Sequence, residues 1–203
     1  MTIEIPNSAD LGALALACRS GWPEDLRFLV ARYPREEWDG HPNLGEMARF
    51  WLSRHAMFRE LSTAIEQIAT LFRAGKLLPE EFARQFVPRL QFMLDQLNVH
   101  HQIEDLHYFP IFRAADDRLA RGFDVLEGDH HHIHADMART AETANALLRS
   151  LGGDTMRRCS DNYADASGAL LKGLVRHLDD EEDLIVPLIL DRSEKALGVA
   201  HHG

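Results

Sequence analysis

From about Asn43 to Arg192 the chain carries apolar residues at intervals of three and four, in four stretches that few helix breakers interrupt. Residues so spaced share one face of an α-helix, and that face must be covered. The first stretch, Asn43–Ala74, aligns Ala48, Trp51, Leu52, Phe58, Ile65, Ala69 and Phe72, with Asn43 placed to cap it and Gly75 to stop it. The second, Pro79–Ala114, opens on a proline suited to a first turn and aligns Phe86, Leu90, Met93, Leu97, Tyr108 and Ile111. Pro88 and Pro110 lie inside it, and each predicts a kink or break. The third covers Asp116–Ser150, with Gly122 and Gly128 as its weak points. After the turn Leu151-Gly152-Gly153-Asp154, the fourth runs over Thr155–Arg192 with Leu170, Leu174, Leu178, Ile185 and Leu188 on one line. No alternating strand pattern competes. Four long helices on short loops predict an all-α fold, an antiparallel up-down-up-down four-helix bundle.

The bundle is expected over residues 43–192, preceded by an N-terminal extension over 1–42 and followed by a tail over 193–203. The extension is irregular or partly helical, with short helices expected around Leu11–Cys18 and Leu26–Tyr33 between Gly and Pro punctuation. Its Trp22, Phe28, Tyr33 and Trp38 give it enough apolar surface to cover a bundle end or a partner, and its own bundle is the expected one. A formal charge of −10 with no basic stripe argues against a nucleic-acid partner. No apolar run approaches the ~20 residues that a membrane span requires. The first twenty residues lack the basic start and apolar core of a secretory signal, so a cytoplasmic protein is expected. Cys18 and Cys159 are 141 positions apart and offer no zinc-site spacing.

Histidine is the anomaly in the composition, with 12 residues. Several stand on the apolar seams, where leucine would be ordinary. His55 follows Trp51 by four and precedes Phe58 by three; His100 follows Leu97 by three and is followed four later by Glu104. His130 and His134 are one turn apart, and His177 follows Leu174 by three with Glu181 four beyond. A buried, unpaired carboxylate costs several kcal/mol, about the scale of a whole domain's stability. No Lys or Arg stands on these seams, so a metal is the expected counter-charge. The pattern also repeats. His100-x3-Glu104-Asp105-x4-Pro110 and His177-x3-Glu181-Glu182-x4-Pro187 share one template, and His55 precedes His100 by 45 residues as His130 precedes His177 by 47. Two helical hairpins, each presenting half of a metal site, are the expectation. Imidazoles with a few carboxylates suit Fe, Zn, Cu or Ni alike; seven convergent donors are too many for one tetrahedral zinc, and two iron ions fit best, with manganese or mixed metals as alternatives.

HHQIEDLHYFP and HLDDEEDLIVP resemble the paired signatures of the hemerythrin (HHE) family, and LEGDHHHIH resembles its third-helix histidine segment. The resemblance covers about residues 43–192. It implies a non-haem centre of two Fe ions with five histidines, two bridging carboxylates and a bridging oxygen species. Carried over by position, His130, His134 and His177 would hold one iron, His55 and His100 the other, and Glu104 and Glu181 would bridge them. The iron with two histidines would keep an open position for O2 or NO. Oxygen carriers of the family have an aspartate five residues after the last histidine. Here Glu181 stands at four and Glu182 at five, and Glu181 is the expected bridge. His131 could replace His130, and His101 could reach the metal were the second helix rotated. Two Glu-x-x-His spacings, Glu104 with His107 and Glu127 with His130, also raise a ferritin-like alternative. That motif requires symmetry-related helices, and residue 184, the counterpart of His107, is leucine. His41, His201 and His202 are expected in solvent. Binding of O2 or NO for sensing, storage or delivery is the expected function. A di-iron enzyme (oxidase, peroxidase, NO-handling or iron–sulfur repair) and an iron sensor are the alternatives.

Overall fold

The computed structural model describes residues 14–199. Its helices are α1 (Phe28–Arg32), α2 (Glu46–Arg73), α3 (Pro79–Ile103), α4 (Phe109–Ala115), α5 (Ala120–Arg149), α6 (Met156–Arg192) and α7 (Glu194–Leu197). A π turn, Glu104–Tyr108, joins α3 to α4. Among the described residues there is no strand. The four predicted long helices are thus present as α2, α3 with its π turn and α4, α5, and α6. The helix expected around Leu11–Cys18 lies partly outside the described residues, and 14–18 form turns. The helix expected near Leu26–Tyr33 is the one-turn 3-10 segment Glu24–Leu26 followed by α1.

The chain divides into two compact units. One contains residues 52–104 and 132–174. Here α2 ends in a Schellman turn: Lys76 N–H donates to Leu71 O, Gly75 N–H donates to Phe72 O, and Gly75 takes φ 69°. A side chain would resist that left-handed backbone. The turn brings Phe72 onto Phe82, with ring centroids 4.2 Å apart; Phe82 stacks on Phe86, and Phe86 meets the edge of Tyr163. This aromatic column is the core of the unit, with Ile65, Leu90, Met93 and Leu170 around it. Helix α3 runs unbroken through Pro88, where a kink or break was expected.

The other unit contains the described residues 14–51, 105–131 and 175–199. Its core gathers Leu26, Met47, Phe109, Phe112, Phe123, Leu126, Leu178, Ile185 and Leu188. Segment 14–45 packs against α6 of this unit, as the aromatic residues of the extension suggested. Trp22 Nε1 donates to Asp180 O at 2.7 Å, Arg35 bonds Glu182 and Asp183, and Arg32 and Tyr33 both reach Asp191. Asn43 does not cap α2. Its amide donates to Leu190 O, and the cap comes from the far end of the chain: Glu194 Oε1 accepts from Ala48 N at 2.8 Å. Gly45 permits this, because a Cβ there would overlap the Glu194 carboxylate.

The second predicted seam needs a correction after Leu97. Tyr108 is only half-buried and Ile111 is exposed, while Phe109 and Phe112 are buried. The π turn is the reason. Buried positions advance 97, 101, 104 and then jump five to 109. Pro110 contributes to the turn, since it has no N–H for Leu106 O and its ring crowds that carbonyl.

Candidate metal centre

In the unit of residues 52–104 and 132–174, α2 contributes His55, fully buried, and α3 ends in His100 and the fully buried His101. Glu104, 1% exposed, opens the π turn. His55 Nε2 lies 3.2 Å from His100 Nε2, and His100 Nε2 lies 2.8 Å from Glu104 Oε1. One donor atom from each of His55, His100 and Glu104 falls within 4.8 Å of the others. Phe58 covers the His100 ring, with centroids 5.2 Å apart. On α5, His134 turns its Nε2 to His101 Nδ1 at 3.1 Å, and the two rings stack.

The other unit repeats the arrangement. His130 from α5 and His177 from α6 face each other, Nε2 to Nε2, at 3.1 Å. Glu181, fully buried one turn beyond His177, places Oε2 3.5 Å from its Nε2. Behind each ring stands a carboxylate: Asp105 is 2.7 Å from His130 Nδ1, and Asp129 is 3.5 Å from His177 Nδ1. A carboxylate on Nδ1 keeps the proton there and leaves the Nε2 lone pair free to bind a cation. Phe109 stacks on His130 and shields it. Burial alone would push the Asp129 carboxyl up, but its hydrogen bonds with His177 and Arg19 outweigh that and hold it below the ordinary range.

The donor geometry fits a metal ion. First-row cation–imidazole bonds of about 2.0–2.1 Å place two ligand nitrogens at right angles about 3 Å apart. The two Nε2 pairs stand at 3.2 and 3.1 Å. Two lone pairs aimed at each other across that gap repel unless a cation or a proton lies between them.

The sequence model of the hemerythrin HHE cation binding domain matches residues 46–190. The chain belongs to the hemerythrin family. No match was found among curated proteins or among solved structures. As a hemerythrin-family chain it has a helical, cation-binding domain, and its His and Glu clusters can hold metal. No described helix is long and apolar enough to cross a membrane.

Of the seven residues singled out in the sequence, His55, His100 and Glu104 meet in one unit, and His130, His177 and Glu181 meet in the other. His134 is brought to His101. His131 and His132 are exposed. His107 and Glu127 are also exposed, and Glu127 pairs with Arg113, so the ferritin-like spacings assemble no site. His41 is half-buried, its Nδ1 accepting from Asn43 N; His201 and His202 lie outside the described residues. Sequence reasoning missed Asp129 and Arg19. Asp129 adjoins His130 but carries no motif of its own, and Arg19 stands 110 residues from Asp129 in the chain.

Proposed function

We propose that this chain is a non-haem di-iron protein that binds O2 or NO at an open iron position, for sensing, storage or delivery. The observation that carries the reading is the twice-built half-site, two imidazoles facing through Nε2 with a buried glutamate one helical turn beyond, inside a matched cation-binding domain. In this reading His55, His100 and Glu104, with His101 beside them, would serve one iron, and His130, His177 and Glu181 the other. His134, a ligand by position in the family pattern, would instead steady His101 through its Nδ1, as Asp105 does for His130. Two ferrous ions, when bound, supply an open coordination position and the electrons that a diatomic ligand draws on.

The chain's own residues do the rest. Asp105 and Asp129 hold two imidazoles by Nδ1 and raise their donor strength. Phe58 and Phe109 keep bulk water from the rings. A donor set rich in imidazole and poor in carboxylate favours holding a gas over cleaving it.

Anaerobic loading with ferrous iron, then exposure to O2 or NO with optical monitoring, tests the proposal. The expected result is two iron ions per chain and a ligand-dependent absorption that reverses under vacuum. Irreversible oxidation, or turnover with peroxide or NO, would instead make the protein an enzyme. His177→Ala and Glu104→Ala should each lower the iron content below two per chain; unchanged content in both rejects the ligand set.

A further inference from the structure

We propose that Arg19 is a positioning residue of the metal centre, fixing His177 through Asp129, so that a residue outside the matched domain completes the site. The inference rests on the reading of His177 as a metal ligand. Arg19 precedes the matched residues 46–190, yet its side chain is 1% exposed. Its Nη2 donates to Asp129 Oδ2 at 2.5 Å and its Nη1 reaches Asp129 Oδ1 at 3.4 Å. Its Nε donates to Asp180 Oδ2 at 2.7 Å, and Nη1 also donates to Leu14 O at 2.6 Å. Trp22 underlies the guanidinium, 4.9 Å from ring centroid to Cζ, and is itself bonded to Asp180 O.

One planar cation thus holds a carboxylate on α5 with one part of its fork and a carboxylate on α6 with another. Asp180 has a second cation, Arg176, at 2.5 and 2.8 Å. Arg19 is therefore not needed to neutralise Asp180, and its distinct contribution falls on Asp129. The oxygen of Asp129 that takes the short bond from Arg19 is the same Oδ2 that faces His177 Nδ1. Arg19 fixes where that acceptor sits, and with it the rotation of the His177 ring. An ammonium is a compact point charge without the guanidinium's fork, and cannot span both carboxylates with that geometry.

The test uses the full chain loaded with ferrous iron under anaerobic conditions. Iron release to a ferrous chelator is timed for wild type, R19K, D129N and R35A, beside thermal unfolding of each metal-free protein. R35A loosens the same N-terminal segment at Glu182 and Asp183 without touching Asp129. R19K and D129N should release iron about tenfold faster than wild type, the lower end for groups that orient ligands from behind. They should also shift the ligand-dependent absorption band. R35A should keep the wild-type rate and band. Should R19K fail to fold, D129N decides alone, since it keeps the side chain's shape. Wild-type rates in R19K and D129N, or an equal acceleration in R35A, would overturn the inference while leaving the metal reading intact. A wild-type chain that takes up no iron would overturn the metal reading and the inference together.

Discussion

Glu104→Gln separates a metal ligand from a structural carboxylate by the sign of its effect. Glu104 is 1% exposed, with Oε1 2.8 Å from His100 Nε2. Glutamine keeps the volume and removes the charge. A carboxylate withdrawn from water costs several kcal/mol after relaxation. In the metal-free protein the contact with His100 gives part of that back, leaving about 1–2 kcal/mol of net burden, at the low end for buried pairs, that the substitution relieves. For a chain of this size, 1 kcal/mol moves Tm by roughly 2–4 °C, so metal-free E104Q should melt about 2–8 °C above metal-free wild type. With iron the order reverses. An ion at a hundred times its Kd adds about 2.7 kcal/mol, or roughly 5–11 °C, and E104Q should forfeit most of that rise. Calorimetry of both proteins, with and without ferrous iron under anaerobic conditions, reads all four melting temperatures. If E104Q lowers Tm equally in both states while iron content stays at the wild-type value, Glu104 is a structural residue and the reasoning fails.

Phe82→Ala should destabilise the protein by about 3–5 kcal/mol, because Phe82 is fully buried between Phe72 and Phe86; denaturant unfolding checks this, and iron content at low denaturant should not change. Glu194→Ala removes the cap on α2 and should cost about 1 kcal/mol, with early amide exchange at residues 46–48 as its local signature. Asp116 accepts from Arg118 N, Nε and Nη2, and those bonds hold its carboxyl below the ordinary 3.8 despite burial. Because its folded value lies below its unfolded one, its stabilisation is complete above about pH 4 and disappears as pH falls through the lowered value. Asp116→Asn should therefore be less stable than wild type at pH 6, by about 1–2 kcal/mol, and the gap should close in acid; a constant gap down to pH 2 would contradict this.

The seams of α2 and α6 could be read directly from the sequence because both are continuous α-helices. Trp51, His55, Phe58 and Ile65 on one, and Leu170, Leu174, His177, Leu178 and Glu181 on the other, are buried as their spacing requires. The His–His–Glu repeat was legible for the same reason: residues three or four apart on one helix declare their face without any knowledge of partners. What escaped depended on departures from that regularity, or on distance along the chain. Periodicity of 3.6 carried past residue 104 selects Tyr108 and Ile111, whereas the π turn selects Phe109 and Phe112. The cap on α2 comes from Glu194, almost 150 residues away, and no local pattern can announce it. Arg19 is a lone basic residue in an irregular segment, and only the fold shows that it meets Asp129.

The π turn also absorbs one residue more than a regular helix would place between the buried positions 104 and 109. Glu104 and Asp105, adjacent in sequence, serve different imidazoles: Glu104 meets His100, and Asp105 meets His130. An ordinary α-helix advances about 100° per residue, so the same sequence wound without the π turn would bring Tyr108 and Ile111 to the buried face in place of Phe109 and Phe112. Phe109 would then leave His130 and Phe112 would leave the core, whereas deleting one residue from Leu106–Tyr108 would return both to the seam of a regular helix. Winding, as much as residue identity, decides which aromatic side chain reaches His130.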